Sequence, residues 1–272
     1  MNFNVLNYKI RKRYFKLFSE KIYSSYEDAL AHCSKKGYEN DIITQLIKTK
    51  AVKFRENFKD SSDVHFPNNN ILAVLAAINS LKEKNKPINV IDFGGGDGKI
   101  YFLLKRCIAE NIKINWYVVE TSAMVHTFKE LETTNLFFRD DLSKLLETLD
   151  EVDILHTACA FQYTPDPIGF LKTMSYSKAT YKIFNRQSLN SASQDLWTIQ
   201  RSLLSWHGSK DTKIDFTDCE IKYPHLNMSI NTFEKIISEC NNILYTFEDN
   251  TGIKKVNKEK IIGKSYVVKI KN

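Results

Sequence analysis

Residues Val90 to Lys99 read Val-Ile-Asp-Phe-Gly-Gly-Gly-Asp-Gly-Lys, an apolar run that ends at an acid, Asp92, and breaks into glycine at 94, 95, 96 and 98. The stretch that follows, Ile100 to Ile108, carries apolar residues at helical spacing. The segment therefore reads as strand, tight loop and helix. Glycine tolerates positive φ and lets the backbone approach a ligand closely, and the N–H groups that open a helix face whatever sits in front of them. A loop of this kind suits a nucleotide-like cofactor.

The spacing narrows the choice. A dinucleotide fingerprint starting at Gly94 needs glycine at 99, where this chain has Lys99, so the glycine that permits close helix packing is missing. A phosphate-binding P-loop fails too, because Gly98-Lys99 is followed by Ile100 rather than Ser or Thr. Further on, Trp116 to Glu120 reads as a second strand ending in an acid, and a carboxylate there can accept both hydroxyls of a ribose; dinucleotide sites use the same device. Leu136 to Asp141 reads as a third strand ending in Asp140 and Asp141, acids placed where they can cap the next helix.

Together Asp92, the loop Gly94, Gly95, Gly96 and Gly98, and Glu120 resemble motif I and its partner acid in class I S-adenosylmethionine-dependent methyltransferases. The resemblance implies S-adenosyl-L-methionine as cofactor, with Asp140, Asp141 and Gln162 as further contacts. It also implies a Rossmann-like class I methyltransferase fold: an α/β protein with a mostly parallel seven-stranded sheet and a C-terminal antiparallel hairpin.

The elements that must position these groups follow from periodicity. Residues 1–85 alternate charged and apolar positions at helical spacing, as in Tyr26 to His32, Asp41 to Ile47 and Ile71 to Leu81, so a helical N-terminal region is expected. From 86 to 272 strands alternate with helices, with strands read at 88–93, 115–119, 136–138, 152–157, 180–185, 243–247 and 264–270. Such alternation implies a parallel sheet covered on both faces, with ligands at the carboxyl ends of its strands, where Asp92, Glu120 and Asp140 all fall. An insertion at 187–229 precedes a helix read at 231–240.

Candidate chemistry on the acceptor side lies beyond the fourth strand. Methyl transfer to oxygen or nitrogen needs alignment and often a base. The nearest titratable candidates for that base are His156, which ends the strand, and Tyr163 and Asp166 in the segment after it; His156 either serves as base or points into a packed layer. Gln162 and Tyr163 follow on a loop facing the crevice, suited to sugar hydroxyls or to the amino-acid portion of the cofactor. Arg186 closes the fifth strand, presenting a guanidinium to an anionic group or pairing with an acid such as Asp166. His207, His225, Trp197, Trp206 and Tyr223 occupy the insertion, as a sugar-stacking wall or as its own packing.

Composition is that of an ordinary globular α/β chain, 272 residues with 43% hydrophobic and 26% charged. The net charge of +7 is concentrated at the ends: +5 over residues 9–21 and +6 over 253–272, leaving −4 in the middle. That pattern excludes a basic groove through the centre, so no nucleic-acid partner is expected. The basic residues near the start interleave with Tyr8, Ile10, Tyr14, Phe15, Leu17 and Phe18, so residues 1–21 either touch an anionic membrane surface or pack on the domain. Five scattered cysteines and six scattered histidines suggest neither disulfides nor a metal site. With no secretory signal pattern or apolar run of spanning length, a cytoplasmic location is expected.

Tyr23 to Leu30 with Gly37-Tyr38, Val90 to Gly96, Trp116 to Glu120, Phe161-Gln162-Tyr163, Trp197 to Gln200 and Tyr223-Pro224 are similar to a family of uncharacterised methyltransferase-like proteins. Its members are met among bacterial surface-polysaccharide biosynthesis genes, which implies a sugar or glycan acceptor. The chain departs from that family's pattern at Phe54 to Phe66 and at Asn185 to Ser188. Three functions are carried forward: an S-adenosylmethionine-dependent methyltransferase, a non-catalytic adenosyl-binding scaffold of the same fold, and a nucleotide-sugar or NAD-dependent enzyme. Cofactor preference separates the first from the third, and turnover separates the first from the second.

Overall fold

The computed structural model describes residues 21–33, 41–60, 70–208, 218–256 and 259–271. Most of the basic stretch 1–21 considered for membrane contact lies outside them. Three helices come first, α1 (Tyr26–Leu30), α2 (Asp41–Asp60) and α3 (Asn70–Ser80). Then follow β1 (Ile88–Phe93), α4 (Lys99–Lys105), β2 (Ile114–Val119), α5 (Ser122–Phe128), β3 (Leu136–Arg139), α6 (Leu142–Thr148) and β4 (Ile154–Ala158). The chain continues through α7 (Pro167–Tyr176), β5 (Tyr181–Asn190), β6 (Leu196–Leu203), β7 (Glu220–Ser229), α8 (Ile230–Glu239), β8 (Asn241–Val256) and β9 (Glu259–Ile270). No helix among the described residues is long and apolar enough to cross a membrane.

The sheet is mostly parallel and Rossmann-like. Strands β3, β2, β1, β4 and β5 lie side by side in that order, all parallel. On the far edge of β5 runs β9, antiparallel, and beyond it β8, so the chain ends in the expected antiparallel hairpin. Period-two alternation serves both faces. Val90, Trp116, Ile154 and Ile183 pack beneath α3 and α4, while Ile91, Val119, Leu155 and Phe184 pack beneath α6, α7 and α8. Strands buried on both sides read as continuous apolar runs, as those of this sheet do.

Among the described residues nine strands join this sheet, two more than the seven expected. The difference lies in the insertion. Strand β5 does not close at Arg186 but runs on to Asn190, with a bulge between Phe184 and Gln187 in its pairing with β9. Arg186 sits on that bulge at φ 56, exposed, and its backbone N–H donates to Ser265 Oγ at 2.9 Å. An added residue in one strand breaks the period-two pattern locally, which made the strand look finished.

Beyond the bulge β5 changes neighbours. Its edge pairs with β4 as far as Asn185, then with β7 at Leu189 and Asn190. The antiparallel ribbon β6–β7 therefore continues the sheet past the carboxyl end of β4. Buried amides root it there: Ser188 donates to Asn227 Oδ1 at 2.9 Å, and Asn227 donates to Thr198 Oγ1 at 2.9 Å.

The outer end of the ribbon is tied to α2. Lys50 is buried, and its ammonium donates to the carbonyls of Ser205 (2.9 Å) and His207 (2.6 Å). Burial lowers its pKa, with Asp218 opposing. Lys50→Met should lose about 1–3 kcal/mol, since both carbonyls keep their burial and lose their donor. Hydrogen exchange is expected to rise along 196–206 while β1 and β4 stay protected.

Candidate functional site

The carboxyl ends of β1, β2 and β4 meet at the glycine loop. Asp92, 1% exposed, is the buried floor of this crevice. Its Oδ2 accepts the Trp116 indole N–H at 3.2 Å and its Oδ1 accepts from His156 Nδ1 at 2.7 Å. The other ring nitrogen of His156 accepts the side-chain amide of Asn185 at 3.0 Å. With both nitrogens engaged and 1% exposure, His156 is not placed to take a proton from a substrate. Its expected catalytic role is corrected accordingly: it holds Asp92.

The loop crosses directly over this carboxylate. A Cβ at Gly95 would lie 2.4 Å from Asp92 Oδ2, and one at Gly94 (φ +71) would lie 2.1 Å from Ala160 Cβ. Gly96 differs, having φ +61 and nothing within 4 Å of an added Cβ. It borders open space. Gly98 (φ +74) opens α4 against Leu136, and Lys99, in place of a third glycine, lays its ammonium over the Phe54 ring at 4.6 Å.

Glu120 stands at this opening. One carboxylate oxygen accepts the Gly96 N–H at 2.9 Å and the other accepts the Thr121 N–H at 3.2 Å. Burial pushes its carboxyl up to about 7; those two N–H groups pull it down, and the charges of Asp92 and Asp97 add to the rise. Asp97, buried, is also raised by burial, and its Oδ2 has no hydrogen-bond partner among the described residues. From α2, Arg55 donates to the carbonyls of Asp97 (3.0 Å) and Leu131 (2.7 Å) and covers Phe102. Neither Asp97 nor Arg55 was singled out by the sequence reading, since neither sits in a motif of its own.

The two acids after β3 separate. Asp140 is exposed and accepts the Ser122 hydroxyl at 3.0 Å. Asp141 caps α6 by accepting the Lys144 N–H at 3.0 Å, one of the two roles open to it. On the other side of the crevice, the turn Phe161–Tyr163 packs against β7. Tyr163 meets Tyr223 edge-on at 5.1 Å and lies 4.8 Å from the His225 ring. Gln162, fully buried, donates to Gln187 Oε1 at 2.5 Å. Tyr223 donates to Ser202, which lies 2.8 Å from His207 Nε2, a ring pushed down to about 4 by burial and by Lys50.

Arg186 makes no ion pair with a described residue, and Asp166 instead caps α7 through the Gly169 N–H. Trp197 packs edge-on against Tyr26 at 5.6 Å, tying α1 to the ribbon. No group of three or more His, Cys, Asp and Glu among the described residues is arranged to hold a metal ion.

No family profile matches the chain, and no curated protein matches it in sequence. Among solved structures it is similar to an S-adenosylmethionine-dependent methyltransferase from Clostridium acetobutylicum ATCC 824, 13% identical over 82% of this chain and 98% of that one, with TM-score 0.42. A SAM-bound amino pentose methyltransferase from Micromonospora echinaspora involved in calicheamicin biosynthesis is 10% identical over 81% and 96%, with TM-score 0.44. A magnesium protoporphyrin IX methyltransferase from Synechocystis PCC 6803 with bound SAH is 12% identical over 85% and 99%, with TM-score 0.40. At these values the likeness is distant, and what the site does has to come from its own residues.

Two outcomes follow from the loop. Gly94→Ala should destabilise the protein well beyond Gly96→Ala, whose cost is only the ~1 kcal/mol of a positive φ, as read by denaturant unfolding. Glu120 binds its proton more tightly folded than unfolded, so its contribution to stability falls as pH rises from about 4.5 through about 7. Glu120→Gln should therefore melt above the wild type at pH 8, by about 2–4 °C per kcal/mol, and lose most of that advantage at pH 4.

Proposed function

We propose that the chain transfers the methyl group of S-adenosylmethionine to a hydroxyl or amine of a sugar or glycan-linked acceptor. One observation carries the cofactor half: Glu120 directly follows β2 beside the open space at Gly96, in a sheet closed by an antiparallel pair. A ribose diol offers two neighbouring O–H donors, which a carboxylate accepts together. The antiparallel β8–β9 pair departs from the parallel strand order of dinucleotide sites, and Lys99 replaces their third glycine.

The residues present fit this group. Glu120 and the N–H groups of the glycine loop would hold the adenosyl part, with Asp140 at the adenine end and Gln162 at the other. When bound, the cofactor would supply a methyl carbon activated by a sulfonium, with the thioether as leaving group and the acceptor's proton passing to solvent. The chain's share is alignment and exclusion of water. The ribbon β6–β7 continues the sheet past the end of β4, and the half-buried Tyr163 is backed there by the buried rings of Tyr223 and His225. The Tyr163 ring is the one suited to the C–H face of a sugar, with its hydroxyl edge left for a sugar hydroxyl. Arg186, exposed on its bulge, suits an anionic group of the acceptor, and the basic residues 1–21 suit an anionic membrane that would carry a lipid-linked one.

Calorimetry with S-adenosylmethionine and S-adenosylhomocysteine tests the reading. The wild type is expected to bind both, and Glu120→Ala to weaken both about tenfold or more, which is ~1.4 kcal/mol. Affinity should rise with pH through about 7, because the ionised carboxylate is the form that accepts the diol, and binding at pH 6 should release a proton to buffer. Preference for NADH or UDP-glucose over the adenosyl compounds would overturn it.

A further inference from the structure

The amide groups behind the crevice form a directed chain whose reference is a backbone carbonyl. Gln187, fully buried, donates its side-chain N–H to the Asn185 carbonyl at 2.7 Å. A carbonyl oxygen can only accept, so the nitrogen of Gln187 must face it and the Oε1 of Gln187 must face the other way. That oxygen receives the Gln162 amide N–H at 2.5 Å, which leaves Gln162 with one orientation as well. Its Oε1 is buried and has no hydrogen-bond partner among the described residues. A buried carbonyl left unpaired is destabilising, and a ligand donor would remove that cost. Asn185 is itself held in place, through His156, by Asp92.

We propose that Gln162 is a preset acceptor for the α-ammonium of the cofactor's methionine portion, and that Gln187 is the positioning residue that forbids the flipped amide. The assignment rests on the reading of the cofactor above. With ribose at Glu120 just after β2 and adenine toward Asp140 just after β3, the strand order β3-β2-β1-β4 sends the methionine end toward β4, whose following turn carries Gln162. A flipped amide would offer N–H groups to an ammonium that needs an acceptor. Gln187 acts by keeping that arrangement out.

The test is calorimetric binding of two ligands to the full chain: S-adenosylhomocysteine, and 5′-methylthioadenosine, which keeps the adenosyl thioether and lacks the amino-acid end. Wild type, Gln162→Leu, Gln187→Leu and the double variant are compared. Each single change is expected to weaken S-adenosylhomocysteine about tenfold and to leave methylthioadenosine within about twofold, and the double variant should bind no worse than Gln162→Leu. Additive losses, equal losses for both ligands, or an unchanged Gln162→Leu would each overturn the proposal. Methylthioadenosine binding reports that each variant remains folded. Absence of binding of both ligands by the wild type is the distinct result that removes the cofactor reading, and this assignment with it.

Discussion

Asp92 is a carboxyl group withdrawn from water at the end of β1, and the neighbouring strands are arranged to satisfy its two oxygens there. A polar group is tolerated in the interior only when its hydrogen-bonding atoms are satisfied. The indole of Trp116 on β2 and the imidazole of His156 on β4 supply one donor each. Three strands are thereby pinned in register around one group. The same carboxylate dictates what passes above it, since any side chain at position 95 would collide with Oδ2. The glycine loop is thus shaped from below, by a buried side chain, as much as by the ligand it would admit from above.

A second layer of organisation comes from α2, which no motif announces. Five residues apart on this one helix, Lys50 holds the outer end of the β6–β7 ribbon and Arg55 holds the carbonyl of Asp97 in the glycine loop. Both are cations spent on backbone carbonyls rather than on carboxylates. Each is partly or wholly buried, and each reaches an element far away in sequence. The proposed cofactor end and the proposed acceptor end of the crevice are thus spanned by one rigid element, and disturbance of either is expected to be felt at the other.

Much of the crevice was legible along the chain because its parts are local. Asp92, the glycines at 94–98 and Glu120 announce themselves by type and spacing, as each ends an apolar run or breaks it. The ambiguity at Asp141 was also legible, because an acid before a helical stretch has two uses, and the observed helix cap is one of them. What lay hidden depended on pairing. The bulge at Arg186 disguised the second half of β5, and the ribbon beyond it looked like an insertion because its partner strand is remote in sequence.

The sequence by itself determined the alternation of strands and helices, the helical start, the antiparallel end and the position of the loop, because hydrophobic period and glycine placement are properties of neighbouring residues. Only the tertiary structure decided what the polar residues do. His156 reads as a base until Asp92 and Asn185 occupy its two nitrogens. Gln162 reads as a loop amide until Gln187, fixed on a backbone carbonyl, leaves it a single orientation. A side chain's protonation, burial and direction are set by groups that arrive from other strands, and no spacing along one strand encodes them.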